Sequence, residues 1–215
     1  MTALIDALES WLSFLEDSGF SPTLNPPATE EEIAEAEQWW GFEFTGEVRE
    51  FYLYTNGTSG NGLLPTRRHL MSLNVLCQDH FRKEMLSFEL GLHYGDQGTP
   101  CFSIPIIASV DWGNNVFVVC DDIAAGAVSS HDEGNYWEER SLSRLFERYV
   151  SYAERGLLQV SEDGIEFVRY EKEGQMWIYA PLIQDDGNND WRWEPIEWRT
   201  LDERKRIVEA MPGQG

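Results

Sequence analysis

Leu4, Ile5, Leu8, Trp11, Leu12 and Leu15 recur at helical spacing, with Asp6, Glu9, Glu16 and Asp17 mostly outside that face, which predicts a first amphipathic helix stopped at Gly19. After the turn-like Asn25-Pro26-Pro27, the run Thr29-Glu30-Glu31-Glu32 has the form of a capping box. A second helix is expected from there, carrying Ile33, Ala36, Glu37 and Trp40 and ending at Gly41. Phe42-Glu43-Phe44 leads into a third helix with Val48, Phe51, Tyr52 and Tyr54, closed by Asn56-Gly57. Asn56-Gly57-Thr58 also spells a glycosylation sequon, but a helix cap in the glycine-rich loop 56–62 is the simpler reading. Leu63 to Leu70 reads as a connection or short strand. Ser72 to about Phe88 reads as a fourth amphipathic helix through Leu73, Leu76, Cys77, His80, Phe81 and Met85.

The pattern then changes to β-rich runs. Phe102 to Ala108 and Val116 to Cys120 flank a turn at Asp111-Trp112-Gly113-Asn114-Asn115, the signature of a hairpin, and Ala127 to His131 follows as a third strand. An antiparallel meander is the natural surface for the helices to cover. Ser141 to Arg155 returns to helical spacing, with Leu142, Leu145, Phe146, Tyr149, Val150 and Ala153 inward, before Gly156. Beyond it, Glu162-Asp163-Gly164 predicts a hairpin turn, Ile165 to Tyr170 and Met176 to Ile183 predict strands, and Thr200 to Met211 a closing helix. Residues 157–215 are thus expected as a β-rich extension within a single domain, either extending the main sheet, which the short connections favour, or folding as a small separate lobe.

Composition narrows the function. The 215 residues hold 16 basic and 38 acidic side chains, a formal charge of −22, spread evenly at −11 for residues 1–100 and −11 for 101–215. Direct nucleic-acid binding, which depends on clustered Lys and Arg, is not expected of such a surface. A cationic protein partner is, since a negative field accelerates its encounter. With 42% hydrophobic residues the chain is globular. The opening Met1 to Asp6 has no cationic leader region and no apolar run approaches a membrane span, so neither secretion nor a membrane is expected. Cys77, Cys101 and Cys120 are odd in number and lack metal spacing, which reads as reduced thiols in a cytoplasmic protein.

In order and spacing, Asn25 to Ile33 with Glu37, then Phe51 and Asn56-Gly57, then Ile104-Pro105-Ile106 through the Asp111 to Asn115 turn into Val116 to Asp121, resemble the SUKH superfamily. That group holds fungal cell-wall-assembly regulators and many bacterial immunity proteins. Gly126 to His131 resembles its next strand, and Leu142 to Phe146 its closing helix. The resemblance covers about residues 23–155, leaving the N-terminal helix (1–22) and the acidic extension (157–215) as additions. Thr45-Gly46 stands where the family usually has proline, a place Thr can serve as a helix cap. The resemblance implies an α+β fold, helices packed on one curved antiparallel sheet, without catalytic machinery. Its bacterial members are thought to neutralise a toxin domain, often a nuclease, in the producing cell.

The residues themselves offer little catalysis. His69, His80, His93 and His131 show no ligand spacing, so no metal and no cofactor are expected. Cys120-Asp121-Asp122 with His131 is the sharpest enzymatic suggestion, but neighbouring acids would raise a thiol's pKa. Paired acids are expected by coincidence among 38, and neither phosphate-loop nor serine-hydrolase motifs occur, so an enzyme ranks third. Of the nine Trp, Trp11, Trp39 or Trp40, and Trp177 fall on inward faces. Trp112 lies in the hairpin turn, and Trp191 and Trp193 lie beside the acidic loop 185–190. Aromatics framed by carboxylates suit a cationic partner. The nominated contact residues are therefore Asp111, Trp112, Asn114, Asp121, Asp122, Asp185, Asp186, Asp190, Trp191 and Trp193. The leading expectation is an immunity-type binder of a basic cognate toxin, and the alternative is a regulatory or scaffolding module.

Overall fold

Helices at the N-terminal side and an antiparallel meander after them make an α+β fold, as the sequence pattern implies. The computed structural model describes residues 2–59, 63–65, 68–78, 103–109, 115–119, 126, 128–131, 135–139, 141–161, 164–172 and 175–178. Its helices are α1 (Ala3–Asp17), α2 (Glu30–Trp40), α3 (Gly46–Tyr54), α4 (Leu73–Leu76) and α5 (Leu142–Glu154). Strands β1 (Arg68–Leu70), β2 (Ser103–Ser109), β3 (Asn115–Val119), β4 (Val128–His131) and β5 (Asn135–Glu139) form one antiparallel sheet in chain order. Two further hairpins follow, β6 (Leu158–Ser161) with β7 (Gly164–Phe167), and β8 (Arg169–Lys172) with β9 (Gln175–Ile178).

Each long helix begins where a side chain can satisfy its orphan amides. Thr29 and Glu32 close the expected capping box on α2, with Thr29 N donating to Glu32 Oε2 at 2.7 Å and Glu32 N donating to Thr29 Oγ1 at 3.2 Å. Thr45 caps α3 by accepting from Val48 N, so the missing proline costs the helix nothing essential. Ser141 caps α5, and Glu47 of α3 reaches across to the same end, accepting from Leu142 N at 2.8 Å and from Ser143 Oγ at 2.7 Å. A carboxylate there meets both free N–H groups and the positive end of the helix dipole. Glu47→Ala should therefore lower stability by about 1–2 kcal/mol, with Glu47→Gln closer to wild type, as read by urea denaturation.

Helix α1 is not a loose appendage. Leu4, Leu8, Trp11 and Leu15 are buried in the main core, and α1 packs chiefly along α5 and also on α3. The Trp11 ring lies 5.6 Å from that of Tyr149, and its Nε1–H donates to the Leu63 carbonyl at 3.0 Å. Ile33, Trp40, Phe51 and Tyr52 bring α2 and α3 into the same core, where they meet Ile104, Ile106, Val118 and Val128 of the sheet. Residues 104–108 of β2 are all buried, in keeping with a continuous apolar run rather than an alternating one. The register of β2 against β3 shifts between Pro105 and Ile107, a bulge that accommodates a proline inside a sheet.

Several expectations are corrected. Among the described residues α4 is a single turn ending at Leu76 and capped by Cys77, where the sequence predicts a helix through about Phe88; residues 79–88 lie outside the described part. Asn56-Gly57 does not cap α3, because Thr55 is already extended and ends that helix. Strand β5 was not anticipated from Asn135-Tyr136-Trp137-Glu138-Glu139, whose two acids mask an aromatic pair suited to a sheet. The expected strand Ile165 to Tyr170 is split at Val168: its N–H still bonds the Leu157 carbonyl at 2.9 Å in the β6–β7 register, and from Arg169 the chain pairs with a new partner, β9. Among the described residues the extension does not continue the five-stranded sheet: β6 and β7 pair with each other, as do β8 and β9. Leu158 and Ile165 nevertheless join the main core, so the first of these hairpins docks on it by apolar contact. The Asp111 to Asn114 turn, the loop 185–190 and the closing helix 200–211 lie outside the described residues.

Candidate functional site

The ten nominated contact residues, Asp111, Trp112, Asn114, Asp121, Asp122, Asp185, Asp186, Asp190, Trp191 and Trp193, all lie outside the described residues. Of the inward-facing Trp, Trp11 and Trp40 are buried and Trp39 is half-buried, its ring 5.3 Å from that of Trp40.

The motif residues that carry the family resemblance form a structural knot. Asn25 N donates to the Gly57 carbonyl at 3.0 Å and Asn25 Nδ2 to the Asn56 carbonyl at 2.8 Å, while Asn56 N returns to Pro26 at 3.1 Å. Asn56 Oδ1 accepts from Leu73 N at 2.8 Å at the start of α4, and Thr55 Oγ1 donates to Gly57 O. Thr58 N bonds the Leu70 carbonyl at 3.0 Å, bringing β1 into the same junction. Segment 23–27, the end of α3, β1 and α4 thus meet through backbone groups. These contacts build the frame. Arg49 does similar work on the surface, bridging Glu30 and Glu37, with its Nη1 2.6 Å from Glu37 Oε2.

Nucleophile chemistry finds no support at the described thiol. Cys77 is partly buried without a charged partner, and burial pushes its thiol up to about 11. In a variant with Cys101 and Cys120 as Ser, Cys77 should react with a disulfide reagent at pH 8 at least tenfold more slowly folded than unfolded, since little thiolate exists. A raised thiol pKa favours the folded state below the unfolded value of about 8.5, and that contribution is lost as pH rises toward about 11. Burial pulls the His69 imidazole below its ordinary pKa. No group of three His, Cys, Asp or Glu among the described residues could hold a metal ion.

An open groove of about 640 Å³ lies between α1 and α5. Its floor is apolar, from Phe14, Val150 and Ala153, all half-buried. Its rim carries Asp6, Glu9, Asp17 and Glu154, and no basic side chain lines it. Ser10 and Ser13 complete the wall. Phe14 is held in place by stacking on Trp11 at 5.4 Å, and Glu9 is steadied by the Tyr54 hydroxyl. Burial raises the Tyr54 pKa, with the Glu9 carboxylate adding to it, so Tyr54 stays a neutral donor. The sequence marks Asp6, Glu9 and Asp17 only as the outer face of a helix. Nothing in it tells that α5 lies alongside and adds Glu154.

Among the described residues no helix is long and apolar enough to cross a membrane. No curated protein matches the chain. The sequence model of the SMI1 / KNR4 family (SUKH-1) matches residues 27–197, or 171 of 215. The match runs past Gly156, so β6 to β9 fall inside it, and it starts after α1. A match over this much of the sequence, on a fold of the expected class, places the chain in a family compatible with toxin-immunity and with SMI1/KNR4-like roles. The chain belongs to the SMI1 / KNR4 family (SUKH-1).

Proposed function

We propose that this protein is a non-catalytic binder of the immunity type, which neutralises a cognate toxin domain in the cytoplasm of the producing cell by covering its working surface. The observation that carries this reading, within the family, is the charge: 38 acids against 16 bases, spread over both halves of the chain. Such a field suits a basic toxin, a nuclease cleft being the clearest case, because complementary potentials speed encounter and fix register. Asp111, Trp112, Asn114, Asp121, Asp122, Asp185, Asp186, Asp190, Trp191 and Trp193 form the proposed contact set, with Trp filling pockets and carboxylates pairing Lys or Arg.

The test is co-purification from the native cell extract at low and at high salt. The expected result is one basic protein in one-to-one ratio, toxic when produced alone and harmless when produced with this chain. Its association rate should fall on the order of tenfold as salt shortens the Debye length from about 10 Å to about 3 Å. Several substoichiometric partners, none of them toxic, would overturn the reading in favour of a regulatory or scaffolding module.

A further inference from the structure

We infer that the groove between α1 and α5 is a docking site for a basic amphipathic helix of a protein partner. The inference deepens the proposed function, since it assigns a seat to the basic partner of that reading, but it stands on its own geometry. Four carboxylates rim an apolar floor, and no cation among the lining residues neutralises them. A neutral or acidic segment would leave the rim unpaired, whereas a helix with Lys or Arg flanking one apolar stripe satisfies both rim and floor. The groove is wide enough for side chains rather than for a small ion, and its walls are two helices already locked to the core by Trp11 and Tyr149. Preorganised walls spare the binding reaction the cost of ordering them.

The groove also has an unusual provenance. Its α5 wall lies within the family match, while its α1 wall, Ala3–Asp17, precedes residue 27 where that match begins. The site is therefore a joint product of the shared frame and of a helix supplied by this chain. That is a natural place for partner selectivity, because α1 can change without disturbing the Asn25–Asn56 junction.

The test is NMR titration of the full-length protein with a capped peptide of about 14 residues, Leu and Lys placed at helical spacing, about 21 Å long as a helix. Saturable one-to-one shifts confined to the amides of α1 and of residues 150–154 are expected. Asp17→Lys with Glu154→Lys should weaken binding about tenfold or more. Both positions are exposed and end their helices, where a cation is favoured, so this variant should fold. Glu35→Lys with Glu43→Lys, both exposed and outside the groove lining, makes the same charge change of +4 and should weaken binding about twofold or less.

Equal weakening by the two variants, or shifts spread over the acidic surface, would overturn the groove in favour of the general field. Contacts in the free protein between Phe14 and residues 200–211 would overturn it in favour of the chain's own segment. Shifts of α1 on raising protein concentration alone would do so in favour of a second copy. If the cognate toxin binds the Asp17→Lys/Glu154→Lys variant as tightly as wild type, the groove assignment falls while the proposed function survives.

Discussion

Gly57→Ala should destabilise the protein by about 3 kcal/mol, near the upper end of single-residue effects. Gly57 has φ 78°, and a Cβ built on it would stand 2.7 Å from both the Leu70 oxygen and the Met71 carbonyl carbon. The left-handed conformation costs an alanine about 1–2 kcal/mol. The clash adds about 1–3 kcal/mol, because its partners are backbone atoms held in the junction with β1 and cannot swing aside. Gly19→Ala is the control: φ is 82°, but nothing lies within 4 Å of its Cβ, so only the conformational cost of about 1 kcal/mol applies. Urea denaturation followed by far-UV circular dichroism separates the two. A midpoint for Gly57→Ala no lower than that of Gly19→Ala would show that the junction yields easily and that the close approach is unimportant.

Trp11→Ala should cost about 3–5 kcal/mol and detach α1 first. The ring is fully buried, contacts Phe14 and Tyr149, and provides the donor for the Leu63 carbonyl. Trp11→Phe keeps most of the apolar contact and removes only the donor, so it should cost less, about 1–3 kcal/mol, much of it from the carbonyl left unpaired. Hydrogen exchange gives the second readout. In Trp11→Ala the α1 amides should lose protection while those of α2 and α3, tied by the Asn25–Asn56 junction, keep theirs. Uniform loss of protection across all helices would mean instead that α1 is part of one cooperative unit with the frame. Because α1 walls the groove, the same variant should abolish binding of the Leu/Lys peptide.

Much of the fold is legible from local signals. Thr29 to Glu32 spells a capping box because the two groups that satisfy the amides are three residues apart, and Leu4, Leu8, Trp11 and Leu15 spell a buried face through helical spacing alone. Strands β2 and β3 are similarly written as apolar runs broken at a turn. Even the family is readable, since its motif residues hold their order along the chain.

What the sequence left open are facts about distance across the chain. Asn56-Gly57 reads as a helix cap locally, whereas its conformation is set by the Leu70 and Met71 backbone it approaches. Strand β5 exists because β4 offers it an edge, which outweighs the poor strand propensity of its acids. The β6–β7 hairpin closes on itself and docks through Leu158 and Ile165, a choice between pairing and packing that apolar content alone does not decide. Glu47 reads as one acid among many until α3 meets the start of α5. The sequence by itself determined α1, α2, α3 and α5, most of the described strands, the pervasive negative charge and the family, because periodicity, caps and composition are local or additive. Only the tertiary structure decided that Asp6, Glu9 and Asp17 share a groove with Glu154, since that depends on α1 lying along α5 across more than a hundred residues of chain.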